Sequence, residues 1–147
     1  MRSKNRKWSA LVPELAVSDI KKSLHFWCDL IGFEVVYERV EEHFAYLALG
    51  DAQIMLEQHN PQDNSWDTAP LEKPFGRGIN FQIEVVALDS ILMRLDNNQR
   101  DLFIPVEERW YKVGDVEFGQ KQFLVLDPDG YLLRLIENLG ERSITTK

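Results

Sequence analysis

The sequence predicts an α+β fold in which two βαβββ modules form curved mixed sheets around a cavity. The order strand, helix, strand, hairpin occurs twice along the chain. The stretches YLALGDAQIMLE (Tyr46 to Glu57) and FLVLDPDGYLLRLIE (Phe123 to Glu137) resemble each other as hairpins. A polar, proline-rich stretch between the repeats is the natural linker. Within a single domain, 1–147, we place the first module at 10–59, the linker at 60–78 and the second module at 79–139.

Composition and charge narrow the classes of function. Of the 147 residues, 44% are hydrophobic, which is enough for a packed core and too many for a disordered chain. The formal net charge of −7 disfavours binding to nucleic acid and is compatible with a cationic ligand, or with plain solubility. Cys28 is the only cysteine, which excludes an intrachain disulfide. No apolar run reaches the roughly 18 residues of a membrane-spanning helix, so we expect a cytoplasmic protein without a membrane partner.

The first module predicts an edge strand followed by a helix. The basic arm Met1 to Lys7 lacks the apolar core of a signal peptide, and we expect it to be disordered or to extend an edge. Ala10 to Val17 is a strand candidate, and Pro13, which lacks an amide donor, favours an edge position. Ser18 and Asp19 are good N-caps, and Gly32 is a natural helix stop. The apolar residues at helical spacing between them are Ile20, Leu24, Trp27, Cys28 and Ile31.

A strand and a hairpin complete this module. Phe33 to Val40 is rich in valine and aromatic residues, which is typical of a strand. Phe44 to Leu49 and Ala52 to Glu57 flank a Gly50-Asp51 turn, which predicts a hairpin with Tyr46 opposite Met55. Because side chains alternate along strands, the residues expected on one face are Phe44, Tyr46, Ala48, Gln53, Met55 and Glu57.

The second module repeats this order. Ile79 to Val85 alternates, with Asn80, Gln82 and Glu84 on one face. Leucine and isoleucine residues from Leu88 to Leu95 then predict a short amphipathic helix. Leu102 to Tyr111 is a strand candidate with a break or bulge near Pro105, and Val113 to Gln120, which contains two glycines, is expected to be a loop.

The last hairpin turns at Asp127-Pro128-Asp129-Gly130, where Pro128 fixes φ and Gly130 tolerates positive φ. A four-residue turn pairs Leu126 with Tyr131 and Phe123 with Arg134. The residues that this register places on one face are Phe123, Val125, Leu132, Arg134 and Ile136.

The faces that do not meet helices carry aromatic and aliphatic residues with a few polar groups. Such a mixture suits a small-molecule cavity, whose apolar walls hold a few directing groups. The alternative is a solvated outer sheet face, on which Phe44, Tyr46, Phe123, Leu132 and Ile136 would be unusually exposed.

Several motifs resemble one known family. They are the paired βαβββ order, the helix after Val17-Ser18-Asp19, the run from Phe26 to Phe33, and the sequence from Leu126 to Tyr131. Together they resemble the vicinal oxygen chelate superfamily, which holds glyoxalase I, extradiol dioxygenases and bleomycin resistance proteins. The resemblance covers about Leu11 to Asn138 and implies the fold more strongly than the function.

The resemblance implies a metal site in the enzymes of the superfamily, but the matching residues here are unsuited to it. Those positions correspond to Val12, Met55, Asn80 and Arg134. Val12 and Met55 are poor ligands for hard or borderline divalent metals, and Arg134 is a cation where a carboxylate is needed. A register slip that brings in Glu14 or Glu57 is the alternative. We therefore expect no metal and no cofactor.

The chain most resembles the bleomycin resistance proteins. That resemblance implies a homodimer, domain-swapped or tightly paired, which sequesters a basic glycopeptide antibiotic in pockets between subunits without altering it. Aromatic rings offer stacking surfaces, and carboxylates favour a cationic guest. The residues predicted to bind the ligand are Glu14, Phe44, Tyr46, Met55, Glu57, Trp66, Asn80, Gln82, Glu84, Trp110, Phe123 and Arg134.

Two alternatives remain open. One is a metal-dependent lyase, isomerase or dioxygenase of the same superfamily. The other is a metal-free binder of a different small metabolite or toxin. Arg134 is the discordant group, which either pairs with Glu57 or Glu84 or selects an anionic guest.

Overall fold

The computed structural model of the protein describes residues 6–144. Met1 to Asn5, which belong to the basic arm predicted to be disordered or to extend an edge, lie outside the described residues. The chain divides into two compact units, the first holding the described residues up to Arg77 together with Asp127–Tyr131, and the second holding the remainder. Each unit contains one sheet, and the order βαβββ occurs twice, as predicted.

The first unit contains a four-stranded mixed sheet with few helices. Its elements are β1 (Glu14–Val17), α1 (Ile20–Leu24), a π-helical segment (His25–Ile31), β2 (Glu34–Arg39), a 3₁₀ turn (Val40–Glu42), β3 (Phe44–Leu49) and β4 (Ala52–Gln58). The strand order is β1-β4-β3-β2, with β1 parallel to β4 and the other pairs antiparallel. The edge position predicted for the strand Ala10 to Val17 is therefore confirmed, although β1 begins only at Glu14.

The first helix changes its geometry part-way along, and this alters which residues are buried. Asp19 caps α1 by accepting hydrogen bonds from the backbone N–H groups of Lys21 and Lys22, as predicted. The following π-helical turns contain more residues per turn and rotate the buried face. Phe26 and Leu30 are consequently buried, although the predicted stripe omitted them. No helix among residues 6–144 is long and apolar enough to cross a membrane.

The second unit contains the other mixed sheet. Its elements are β5 (Asn80–Val85), α2 (Asp89–Asn97), β6 (Ile104–Val113), β7 (Val116–Leu126) and β8 (Leu132–Ser143). The strand order is β5-β8-β7-β6, and β5 runs parallel to β8. The register shift between Ile104 and Glu107 confirms the bulge predicted near Pro105. Two mixed sheets with few helices confirm the α+β class.

The loop predicted for Val113 to Gln120 was wrong. Val113 pairs directly with Val116, so the connection is a tight turn at Gly114 and Asp115, and β7 continues through Gly119. A Cβ at Gly119 would lie 2.5 Å from the indole ring of Trp110, which crosses the strand there. Gly119 is thus a packing glycine within a strand, where the missing side chain makes room for an aromatic ring.

The repeat extends to the capping of each helix. The Gln58 side chain at the end of β4 accepts a 3.0 Å hydrogen bond from the backbone N–H of Ile20. The Glu137 side chain of β8 likewise accepts one of 3.0 Å from Leu88 N–H. Because the first N–H groups of a helix lack partners within it, each unit uses a strand side chain to satisfy one of them.

Each sheet has one face that forms its core. In the first unit this face includes Ala45, Leu47, Ile54 and Leu56 of the β3–β4 hairpin, as predicted, and all four are buried. In the second unit, Phe123, Val125, Leu133 and Leu135 are at most 1% exposed. The opposite faces carry the polar residues that are candidates for function.

The register predicted for the last hairpin was wrong by one residue. Leu126 pairs with Leu132 rather than Tyr131, and Phe123 pairs with Leu135 rather than Arg134. Five residues, Asp127–Tyr131, therefore connect the strands. Tyr131 leaves the ladder because its N–H donates to the Asp127 carboxylate at 2.9 Å and its hydroxyl donates to the Ala16 carbonyl at 2.9 Å.

The Asp127 carboxylate is the centre of this turn. It accepts hydrogen bonds from the Trp27 indole N–H at 3.1 Å and from the N–H groups of Asp129 and Tyr131, each at 2.9 Å. Burial nevertheless raises the pKa of Asp127, and the three donors oppose that rise. Asp129, which is also buried, accepts hydrogen bonds from the backbone N–H and the hydroxyl of Ser18. The buried, satisfied carboxylates thus fix the turn to Trp27 of the π-helical segment and to Ser18, which precedes α1.

Gly130 allows the backbone to adopt the conformation that this turn requires. Its φ is +97°, and a Cβ there would lie 2.6 Å from the backbone Cα of Pro74. Gly140 has a similar φ of +89°, but nothing lies within 4 Å of a Cβ built on it. Substitutions at the two glycines therefore separate two energetic costs. Both include the cost of a left-handed backbone conformation, but only the substitution at Gly130 adds a steric clash.

We predict that Gly130→Ala is much more destabilising than Gly140→Ala. The second substitution is expected to lower the free energy of unfolding by about 1 kcal/mol, the cost of a left-handed alanine. The first is expected to cost about 2–3 kcal/mol more, because backbone atoms must move apart. Urea unfolding of both variants measures the difference, and equal losses would contradict the packing role of Gly130.

Candidate functional site

The face of the first sheet opposite its core carries five of the predicted ligand-binding residues. Glu14 is in register with Met55, Met55 with Tyr46, and Tyr46 with Tyr37. The neighbouring row contains Glu57 and Phe44. The structure thus confirms that these residues share a face, while their role in binding a ligand stays a prediction.

An aromatic cluster lies at the centre of this face. Val36, Phe44, Tyr46 and Ala48 are buried there, with Trp8 packed against them. The ring centroids of Trp8 and Tyr46 are 5.0 Å apart at an edge-to-face angle of 85°. Tyr37 stacks on Tyr46, with centroids 5.2 Å apart and the planes inclined by 19°. Trp8 and Tyr37 were not among the predicted site residues, although both are aromatic residues within or beside predicted strands.

Gln53 fastens the segment that carries Trp8. Its amide Nε2 donates to the Lys7 carbonyl at 2.8 Å, and its Oε1 accepts from Ser9 N–H at 3.0 Å and from the Tyr46 hydroxyl. Arg6 forms an ion pair with Glu34. We call residues Arg6 to Ser9 the strap. Arg6 and Lys7 therefore form no edge strand, and polar contacts hold them across the aromatic face.

Two carboxyl groups lie together at the margin of the cluster. They lie on the same face of the β1–β4 pair, with Glu14 in register with Met55 and Glu57 in the next row, in register with Ala16. Desolvation and the Glu57 carboxyl raise the pKa of Glu14, and the guanidinium of Arg39 opposes the rise. That guanidinium lies 3.9 Å from the centre of the Phe44 ring. Two carboxyl groups close together beside aromatic rings favour the uptake of a proton or the binding of an external cation.

The second sheet also presents an open face with predicted residues. Asn80, Gln82 and Glu84 of β5 are exposed and in register with Leu132, Arg134 and Ile136 of β8. Leu124 of β7 is also in register with Arg134. The prediction that Phe123 shares this face was wrong, because the one-residue shift in register moves it to the core face.

A hydrogen-bond network covers the other half of this face. The Gln122 amide donates to Glu107 at 3.0 Å and accepts from Gln120 at 2.8 Å and from the Tyr111 hydroxyl at 3.4 Å. Arg109 forms an ion pair with Glu107 at 3.1 Å. This guanidinium and the Gln122 amide hold the pKa of Glu107 below its usual range. Its charge is therefore neutralised within the sheet.

The two predicted tryptophans differ in their surroundings. Trp66, in the linker, is 87% exposed. Trp110 lies across Gly119, the Arg142 guanidinium is 3.8 Å from its ring centre, and its indole N–H donates to Glu108. Strand alternation places Trp110 on the face opposite Tyr111. Of the two rings, Trp66 is the one free to stack on a ligand, and both roles stay predictions.

A separate recess of about 300 Å³ lies at the C-terminal end of α2. None of the predicted ligand-binding residues lines it. Its lining consists of Leu92, Leu95, Asp96, Arg100, Asp101 and Leu102.

Comparison with known proteins identifies the family. Residues 10–135 match the model of the glyoxalase/bleomycin resistance protein/dioxygenase superfamily. The chain belongs to this superfamily. A bleomycin resistance protein from Geobacillus stearothermophilus is 26% identical over 139 residues, which is 87% of this chain and 96% of that protein.

Solved structures agree with this assignment of the fold. A protein of unknown function from Agrobacterium tumefaciens has a TM-score of 0.66 at 19% identity, covering 92% of this chain and 98% of its own. A virulence protein from Salmonella typhimurium has a TM-score of 0.61 at 17% identity, covering 90% and 98%. The fold class and the family predicted from the sequence are therefore confirmed.

The metal site implied by the superfamily does not fit the residues of this chain. Val12 and Met55 belong to the first sheet face, and Asn80 and Arg134 to the second. An aliphatic side chain, a thioether, an amide and a guanidinium do not make a ligand set for a hard or borderline divalent ion. Within the described range, no three histidine, cysteine, aspartate or glutamate side chains are grouped to hold one.

We predict that Trp8→Ala destabilises the first unit whereas Trp66→Ala does not. The half-buried Trp8 ring covers Tyr46, and its loss should lower the free energy of unfolding by about 1–3 kcal/mol. The exposed Trp66 should change it by less than about 0.5 kcal/mol. Chemical denaturation of the two variants tests this, and similar values would show that the strap does not stabilise the sheet.

Proposed function

We propose that this protein binds a small organic cation on the aromatic face of the first sheet and leaves it chemically unchanged. The observation that carries the proposal is the placement of Glu14 and Glu57 on one sheet face beside the rings of Phe44 and Tyr46. Carboxylates attract a cation, and aromatic faces stack on flat or charged groups. The predicted ligand residues Met55 and Trp66 would add apolar contact.

The ligand that we propose is a basic glycopeptide antibiotic of the bleomycin type. The relatives that match most of the chain carry the name bleomycin resistance protein, and one of them is 26% identical. The net charge of −7 also favours a basic guest. The proposed mode is sequestration in the cytoplasm by a homodimer whose pockets lie between subunits, with Asn80, Gln82 and Glu84 adding polar contacts.

These residues are better suited to binding a small molecule than to converting it chemically. In a metal-dependent lyase, isomerase or dioxygenase, a bound ion would supply the Lewis acid or the redox centre. The side chains at the matching positions do not suit such an ion. A binding role for a cation needs only the charge of Glu14 and Glu57.

We predict micromolar, stoichiometric binding of bleomycin without a product. Glu14→Gln and Glu57→Gln should each weaken binding about two- to fivefold, the effect of one partly exposed charge pair. Glu41→Gln, in the exposed 3₁₀ turn, is the matched control and should leave the affinity unchanged. Isothermal titration calorimetry gives the affinity, and chromatography of the recovered antibiotic detects any product.

Absence of binding at micromolar concentrations would overturn the antibiotic as the ligand. If the control weakened binding as much as the other two substitutions, the overall charge rather than the acid pair would be responsible. A chemically altered antibiotic would favour the enzyme alternative.

We also predict a pH dependence that resides in the acid pair. Because the pKa of Glu14 is raised above 4.5, this group takes up a proton in the free protein as the pH falls towards that raised pKa. A bound cation competes with that proton, so the affinity should fall with decreasing pH. The fall in affinity should be smaller in Glu14→Gln than in the unmodified protein. Subtracting one pH profile from the other cancels the titration of the ligand itself. Parallel pH profiles would contradict this role of Glu14.

A further inference from the structure

Among the residues that the structure describes, the guanidinium of Arg134 on the second sheet has no ion-pair partner. Its Nε is buried and has no hydrogen-bond partner among residues 6–144. The side chain is half-buried, and its register neighbours are Leu124 on β7 and Gln82 on β5. Neither neighbour carries a charge. A partly desolvated cation without a counter-ion is costly, because the surrounding protein solvates it less well than water does.

The other charged groups of this face do not supply the missing counter-ion. Glu107 is bound to Arg109 and to the Gln122 amide. Glu84 is in register with Ile136, one row away from Arg134, and forms no ion pair with it within the described part of the chain. Within residues 6–144, the positive charge of Arg134 therefore stays uncompensated, on a face whose Glu107 is paired and whose Glu84 is exposed.

The surroundings of Arg134 combine donors with apolar surface. On one side, the exposed amides of Gln82 and Asn80 line the neighbouring strand. In the adjacent row, Leu126 is 39% exposed and pairs with Leu132. A guanidinium binds a carboxylate through two parallel hydrogen bonds, and an amide N–H adds a third donor. The exposed Leu126 and the half-buried Leu132 next to it suit the hydrocarbon part of the same molecule.

We propose that Arg134, with Gln82, is a receptor for an organic carboxylate whose apolar body lies on Leu126 and Leu132. This site goes beyond the proposed function, because its ligand group carries the opposite charge to the cation bound by the first sheet. It belongs to the second unit alone, so it exists whether or not the antibiotic is the physiological ligand.

The experiment uses benzoate as the carboxylate probe, benzamide as its neutral isostere and inorganic phosphate as a compact anion. Each is titrated into the 147-residue chain, and NMR follows the arginine Nε–H signals, with that of Arg134 assigned by its absence in Arg134→Met. Benzoate should shift this signal with a dissociation constant below about 10 mM and bind at least tenfold more tightly than benzamide or phosphate.

Arg134→Met retains an apolar stem and should weaken benzoate at least tenfold. Arg109→Met removes the paired cation of the same face and is the matched control, with an expected change of less than twofold. No shift of the Arg134 signal, equal binding of benzamide, or equal losses in both variants would overturn the proposal. If phosphate bound as tightly as benzoate, the proposed contact of an apolar ligand body with Leu126 and Leu132 would be overturned.

These outcomes are separable from those of the antibiotic experiment. Arg134→Met should leave the effects of Glu14→Gln and Glu57→Gln on bleomycin affinity unchanged. Failure of the carboxylate site would thus leave the cation-binding proposal intact, and failure of antibiotic binding would leave the benzoate result intact.

Discussion

Burial of the Asp127 carboxylate is the constraint on which much of the first unit depends. Three donors from Trp27, Asp129 and Tyr131 converge on it, and Asp129 itself holds the start of the first helix through Ser18. Removing water from a carboxylate is costly unless donors replace it. The turn, the helix and the first strand must therefore be in place together, which makes this short segment a structural part of a unit distant from it in sequence.

The two units share a design but differ in chemistry. Gln58 and Glu137 cap their helices in the same way, and each sheet buries one leucine-rich face. The opposite faces differ in the side chains they carry. The first carries aromatic rings and an acid pair, whereas the second carries amides and a guanidinium that has no ion pair among the described residues. Function in this superfamily therefore has to be inferred from such faces and not from the fold.

The strap shows how a surface predicted to bind a ligand can be partly covered by the chain itself. Trp8 contributes an aromatic edge to the cluster that a guest would otherwise contact. Gln53 holds the strap from a position on the same face. The alternation of side chains places Gln53 there, but only tertiary packing brings a segment more than forty positions away onto it.

The sequence by itself determined the repeat, the strands and helices, the family, and which residues of the β3–β4 hairpin share a face. These follow from local periodicity and turn chemistry, which neighbouring residues impose on one another. Only the tertiary structure decided the register of the last hairpin, the strand character of Gly119, the π-helical turns and the strap. Each of these depends on a partner remote in sequence or across a strand: Ala16 for Tyr131, Trp110 for Gly119 and Gln53 for Trp8. Long-range contacts of this kind leave no periodic signal in the chain.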